Sequence, residues 1–388
     1  MKKNFDDDFD DSIFGSEDFP IEDIHFEDPP SDEEKLREYV DLIPILSPQQ
    51  IWKELETLGY KGQDDQRKAL SLMAYRHVRR LKKIYLEGED RKNLPPKQNV
   101  LMLGPTGCGK TYLVELLFQN IFKLPTVIVD ITSFTESGYV GDSVNTILTR
   151  LISKTNDDPL FTSCGVICLD EFDKLASSGS SARFAGQGTT KDVSGYGVQR
   201  ELLAMIQGTN VSVPMDYGFS EFGYRSEIST SDIPFIACGA FSGFEELLKE
   251  SRSNIGFRQD GKTDDEILTE QEAQSFQKFG FLPELIGRFS RIVSFSALTE
   301  ETLRQILTQN IMPQFVNEFR AENLKLTATD DAVKFIVQRC EKRGTGARGL
   351  HTELVTTVEK IAFETFGETT NAEIIIKVKD ERLVTEIV

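Results

Sequence analysis

The stretch from Asn99 to Phe122, NVLMLGPTGCGKTYLVELLFQNIF, limits the possible folds of this chain more than any other. A short apolar run, Val100 to Leu103, stops at the glycine-rich octet Gly104, Pro105, Thr106, Gly107, Cys108, Gly109, Lys110, Thr111. Apolar residues at helical spacing follow at Leu113, Val114, Leu117 and Ile121. The pattern predicts strand, loop and helix. The octet fits G-x-x-x-x-G-K-[ST], in which glycines let backbone N–H groups turn inward around phosphate oxygens and the helix N-terminus adds partial positive charge. Lys110 then suits the β- and γ-phosphates, and the Thr111 hydroxyl suits Mg²⁺. A glycine turn capping a core helix is the competing explanation. A chance match to the octet in a chain of this length is roughly one in a hundred, and the flanking strand and helix favour a nucleotide.

Composition narrows the class further. At 388 residues and 39% hydrophobic, the chain is long enough for two or three domains with their own cores. No stretch approaches the roughly 18 uncharged apolar residues of a membrane span, and MKKNFDDDFDD has neither a signal-peptide core nor the Arg-rich character of a transit peptide. A cytoplasmic protein with no membrane partner is expected. The five cysteines show no C-x-x-C spacing and read as reduced core thiols, with no zinc expected. Of the net charge of −19, the first 34 residues carry −12, so the acidity is mostly a tail, and nothing in the bulk charge favours nucleic acid.

Residues 1–46 mix acid runs with spaced phenylalanines, a composition expected to be disordered. Their role is either solubility or docking of a partner on the aromatic residues. Order is expected from Ser47-Pro48-Gln49-Gln50, a capping box with proline at the first helical position, and a longer helix from about Asp64 to Tyr85. Its outward arginines and lysines read as a solvated or subunit-facing stripe. Thr126 to Asp130 and Gly165 to Leu169 read as further buried strands. The second ends in Asp170-Glu171. In a phosphate-loop ATPase, an acid there holds the Mg²⁺ shell and the next glutamate polarises the attacking water. Asp173 and Lys174 read as the exposed start of a helix. Between these strands lies the loop SFTESGYVGD, with Tyr139 and Val140 flanked by glycines. Val198 to Ile206 reads as an amphipathic helix, residues 209–231 show no clear period, and Ile233 to Cys238 reads as a strand. A polar loop at about 249–265 carries Ile255-Gly256-Phe257. From Thr299 the pattern turns helical around the turn GTGARG, and two β-rich runs close the chain.

The ordered set GPTGCGKT, GYVG, ICLDEFDK, KDVSGYGVQRELL, GFLPELIGR and TGARGL resembles the ClpX family of AAA+ ATPases (Clp/HslU type), hexameric unfoldases that partner the peptidase ClpP. The resemblance runs from about Ser47 nearly to the C-terminus. It implies an α/β fold with a parallel-sheet large domain over 47–298 and a smaller α-rich domain with short strands over 299–388, hinged near Ser296 to Thr299. It also implies ATP and Mg²⁺ as cofactors, and ATP hydrolysis coupled to threading of unfolded or tagged proteins through the pore of a homo-hexamer. Residue by residue, Gly104 to Thr111 match the Walker A loop, with Thr111 and Asp170 as metal ligands and Glu171 as catalytic base. Arg288 matches the arginine finger supplied to the neighbouring subunit, and Arg348 the sensor-2 arginine. Tyr139 and Val140 match the substrate-gripping pore loop, Lys191 and Asp192 a second pore loop, and Ile255, Gly256 and Phe257 the peptidase-docking loop.

Departures from the family pattern are equally specific. An acidic tail stands where the family has a four-cysteine zinc domain, and no Arg-Lys-His pore-entrance loop is found within Val213 to Ser231. The adenine-contacting Val-Ile pair is replaced by Tyr60-Lys61, and Cys238 lies in the sensor-1 region. An unfoldase feeding a ClpP-like peptidase is therefore the first expectation. A remodelling chaperone without a protease, and a poorly hydrolysing nucleotide-sensing scaffold subunit, are the alternatives.

Overall fold

In a computed structural model, which describes residues 31–134, 142–176, 195–214, 225–244, 246–248 and 273–388, the apolar runs form the middle of one parallel sheet. Strands β1 (Val100–Leu103), β2 (Thr126–Asp130) and β3 (Val166–Asp170) are followed by a separate antiparallel hairpin of β4 (Asn210–Pro214) and β5 (Arg225–Ser229), then by β6 (Phe235–Gly239) and β7 (Arg291–Ser294). The sheet order is β2-β3-β6-β1-β7, every pair parallel. β1 and β6 are buried along their whole length, because both sheet faces are covered; that is why they read as continuous apolar runs rather than alternating ones. The carboxyl ends of β1, β3 and β6 meet at one edge, where open α/β sheets bind ligands.

On one face lie α1 (Asp32–Leu42), α2 (Pro48–Thr57), α3 (Asp64–Tyr85) and α4 (Lys110–Val114), whose apolar sides share a core with Met102, Cys168 and Cys238. The other face is covered by α5 (Thr146–Ile152) and α7 (Gly195–Gln207), with the short helix α6 (Pro159–Thr162) between them in sequence. After α8 (Pro283–Ile286) and β7, the chain builds a third core from α9 (Glu300–Ile306), α10 (Met312–Ala321), α11 (Asp330–Arg343) and α12 (Gly346–Thr365). These helices pack with β8 (Lys325–Ala328), β9 (Glu373–Lys379) and β10 (Arg382–Ile387). No helix among the described residues is long and apolar enough to cross a membrane.

Several expectations are corrected. The disorder expected through residue 46 does not hold for 31–46. Ser31 and Glu34 form a capping box, Leu36, Val40 and Ile43 are buried, and Lys82 Nζ donates to the Val40 and Asp41 carbonyls at 2.9 and 3.0 Å. Acidic composition outweighed three apolar residues at helical spacing, and the ammonium at the end of α1 also complements its dipole. Residues 209–231 hold the β4–β5 hairpin, whose polar, half-exposed strands hide their period. Asp173 is buried, accepting from Ala240 N at 3.0 Å, rather than opening an exposed helix. All five cysteines are free and buried.

One buried group makes the fold sensitive to acid. His77 on α3 is enclosed, edge-on to Phe118, and its Nε2 has no hydrogen-bond partner among the described residues. Burial holds its pKa down to about 4, with Arg80 and Lys97 acting in the same direction and the Cys164 backbone and Asp232 opposing. The unfolded chain takes up this proton near pH 6.5 and the folded chain only near 4, so stability is level above 6.5 and falls as the pH drops between them. The full loss is about 3 kcal/mol. A His77→Gln chain should show a flatter dependence of urea midpoint on pH across that window; an unchanged slope would place the acid sensitivity elsewhere.

Candidate active site

β1 runs directly into the phosphate loop, and three glycines carry its turn at positive φ: Gly104 at 147°, Gly107 at 75° and Gly109 at 95°. Gly104 N donates to Gly239 O at 3.2 Å, which ties the loop to β6. A Cβ on Gly104 would lie 2.5 Å from the Phe295 carbonyl, so only glycine fits there. α4 starts at Lys110 with Gly109 as an N-cap that offers no side-chain acceptor, leaving the first N–H groups and the positive dipole end for an anion. Lys110 is buried, and its Nζ donates to the Gly104 and Pro105 carbonyls at 2.6 and 2.9 Å.

The acids at the end of β3 face this loop. Thr111 Oγ1 donates to Asp170 Oδ2 at 2.8 Å, and Glu171 N donates to Asp170 Oδ1 at 2.9 Å. Glu171 itself sits at φ 54°, a left-handed conformation uncommon for a non-glycine residue and characteristic of functional turns. A hydroxyl and a carboxylate in contact beside a helix N-terminus form a hard-oxygen set that fits Mg²⁺ with phosphate.

The C-terminal part closes the cleft. α12 begins at Gly346, so Arg348 lies in its first turn; Ala347 N donates to Gly107 O at 3.0 Å. A Cβ on Gly346 would lie 2.6 Å from that same carbonyl, which explains the glycine in GTGARG. The result is a cavity of about 460 Å³ lined by Thr106 to Tyr112, Asp170, Glu171, Asp173, Arg348 and the turn Gly59, Tyr60, Lys61. Its volume is that of a small-molecule site.

Sequence reasoning therefore named residues that the fold brings together: Lys110, Thr111, Asp170, Glu171, Arg348, Tyr60 and Lys61 line one cavity. Gly104 and Pro105 serve it through carbonyls that hold Lys110. Arg288 does not line it. Its backbone carbonyl accepts from Asn99 Nδ2 at 3.0 Å, and its exposed guanidinium lies beside the Gln207 side-chain amide, which accepts from Nη2 at 2.7 Å when the amide is turned to bring its oxygen to the arginine. Cys238 does not line it either; it points into the core with its Sγ 3.7 Å from that of Cys168, and Gly239 and Ala240 face the cavity from this strand end. Tyr139, Val140, Lys191, Asp192, Ile255, Gly256 and Phe257 lie outside the described residues. Asp173, Tyr112, Asn310 and Gln314 were not foreseen. The only signal for Tyr112 was its place after Thr111, and Asn310 and Gln314 come from a remote helix.

Comparison with known proteins agrees with this geometry. The family described as AAA domain (Cdc48 subfamily) matches residues 95–292, and the C-terminal, D2-small domain of ClpB protein matches residues 298–371. The ATP-dependent Clp protease ATP-binding subunit ClpX of Borrelia duttonii is 37% identical over 314 residues, covering 78% of this chain and 71% of the relative. The Borrelia recurrentis protein of the same name gives the same figures. That of Treponema denticola is 36% identical over 335 residues, covering 84% of this chain and 77% of its own. A parallel sheet with a phosphate loop, a helical C-terminal part and these relatives together make the chain an ATP-hydrolysing enzyme that belongs to the ClpX-type AAA+ ATPases.

Proposed function

We propose that this chain is a Mg²⁺-ATP-driven protein unfoldase and translocase that works as a homo-hexameric ring and delivers polypeptide to a ClpP-like peptidase. The observation that carries the reading is a division of labour: Lys110, Thr111, Asp170, Glu171 and Arg348 share one cavity, while Arg288 stands exposed outside it. An arginine so placed suits the site of a neighbouring copy. The bound Mg²⁺-nucleotide supplies the transferable γ-phosphoryl group. Around it, Lys110 and the loop amides hold phosphate, Thr111 and Asp170 hold the metal, and the Glu171 carboxylate accepts the proton of the attacking water. Arg348 is in the first turn of α12, whose N-terminus hydrogen-bonds the phosphate loop, so a change at the loop is transmitted to the C-terminal part.

Tyr139 and Val140 grip substrate, an aromatic beside a branched apolar residue being suited to chains of any sequence. Ile255, Gly256 and Phe257 dock the peptidase, a role supported by relatives that are ATP-binding subunits of an ATP-dependent Clp protease. The working location is the cytoplasm. Tyr139→Ala should keep ATP hydrolysis within about threefold of the parent while abolishing ATP-dependent unfolding of a fluorescent substrate protein. Unimpaired unfolding by that variant would remove the pore-loop role.

A further inference from the structure

Two neighbouring strands leave the sheet at this edge through left-handed turns at non-glycine residues: Glu171 at φ 54° after β3, and Phe241 at φ 50° after β6. Asp173 joins the two turns. Its side chain is 7% exposed, and Oδ1 accepts from Ala240 N at 3.0 Å. A carboxylate so deep needs a partner, and the Ala240 amide is the buried one, since Lys174, whose Nζ lies 3.5 Å away, is 58% exposed. The end of β6 is shaped around this contact. A Cβ on Gly239 would lie 2.7 Å from Asp173 Oδ1 and 2.6 Å from the Phe241 ring, so a larger residue would crowd the carboxylate off the amide. Gly239 O in turn accepts from Gly104 N at 3.2 Å, and Lys174 N donates to Glu171 O at 2.9 Å. One run of contacts therefore leads from the phosphate loop through β6 to the turn that carries Glu171. Between Glu171 and Asp173, Phe172 packs on Phe281 and Phe289 at ring-centroid distances of 5.2 and 5.6 Å, which anchors the turn on its core side. The cavity side is left to Asp173.

We propose that Asp173 is a positioning residue for hydrolysis, whose carboxylate, held on the Ala240 amide, sets where the Glu171 carboxylate stands against the attacking water. This role rests on the reading of Glu171 as the base. A non-glycine residue stays left-handed only where its surroundings hold it, and a base must stand within hydrogen-bond reach of the proton it takes. Gly239 and Ala240 line the cavity without a polar side chain, so the strand end beside Glu171 has no side chain of its own to hold that water. Asp173 acts through Glu171 rather than on the phosphate.

The test uses the full chain and ATP in a two-by-two set with Glu171→Gln, read by single-turnover hydrolysis. Asp173→Ala should slow hydrolysis roughly 10- to 100-fold, the scale of a 1 Å misplacement, while calorimetric ADP affinity stays within about twofold of the parent's. Asp173→Asn, whose amide oxygen can still accept from Ala240 N, should regain most of that loss. In the Glu171→Gln chain, Asp173→Ala should cost about twofold at most, because no base is left to place. The same large loss there would show that Asp173 acts independently of Glu171 and overturn the proposal. So would an Asp173→Asn chain as slow as Asp173→Ala, an ADP affinity that falls as far as the rate, or an Asp173→Ala chain with the parent's rate. Urea midpoints check folding, and Asp173→Ser carries the same expectations if the alanine chain does not fold. Normal turnover by Glu171→Gln alone is the separate failure of the base reading, and it removes the positioning role as well.

Discussion

Replacing Arg288 by Ala should lower ATP hydrolysis by a factor on the order of 10³ or more while nucleotide affinity stays near that of the parent. The large effect follows from where charge develops. Phosphoryl transfer spreads negative charge over oxygens that a guanidinium can hold, and a finger that arrives from outside the cavity contributes most at the transition state. The small effect on folding follows from the setting of Arg288. Its side chain is exposed, and its backbone is fixed independently by Asn99, whose Nδ2 donates to Arg288 O while its Oδ1 accepts from Phe235 N at 3.0 Å. Removing an exposed side chain from such a position changes stability by about 0.5 kcal/mol or less. Steady-state hydrolysis together with calorimetric ADP binding checks both halves; loss of both would point to a cis-acting structural role.

Glu171→Gln should reduce hydrolysis by about 10² to 10⁴ while preserving ATP binding. The change is isosteric and neutral to the left-handed turn at residue 171, and the Thr111–Asp170 contact does not involve the Glu171 side chain. Only the ability to accept a proton is lost. Rapid-mix single-turnover hydrolysis separates chemistry from product release, and normal turnover by this variant would remove Glu171 as the base.

What the sequence made legible is what short segments encode by themselves. Val100 to Thr111 and Val166 to Glu171 each combine a strand whose apolar residues are buried with candidate site residues at its end, so fold position and candidate role are written in the same short segment. The far wall of the cavity was not legible, because Leu298, Ile306, Asn310 and Gln314 join Tyr60 and Tyr112 around it only through packing of the C-terminal part. Cys238 illustrates a different failure. Adjacent residues of a strand point to opposite sides, so a position near the strand end says nothing of the site until the register is known. Here it faces Met102 and Cys168 within the core. α1 was hidden because an acidic helix with only two buried apolar residues, Leu36 and Val40, has the composition of an unfolded one.

The central claim is that one active site is built by two copies of this chain, and subunit mixing tests it most directly. Arg288→Ala and Glu171→Gln chains are each inactive alone. In a mixed ring an Arg288→Ala subunit keeps its own Glu171 and receives Arg288 from a Glu171→Gln neighbour. Random assembly of equal amounts should then restore about a quarter of the parent's hydrolysis rate. A mixture no more active than the sum of its two inactive parts would contradict the account.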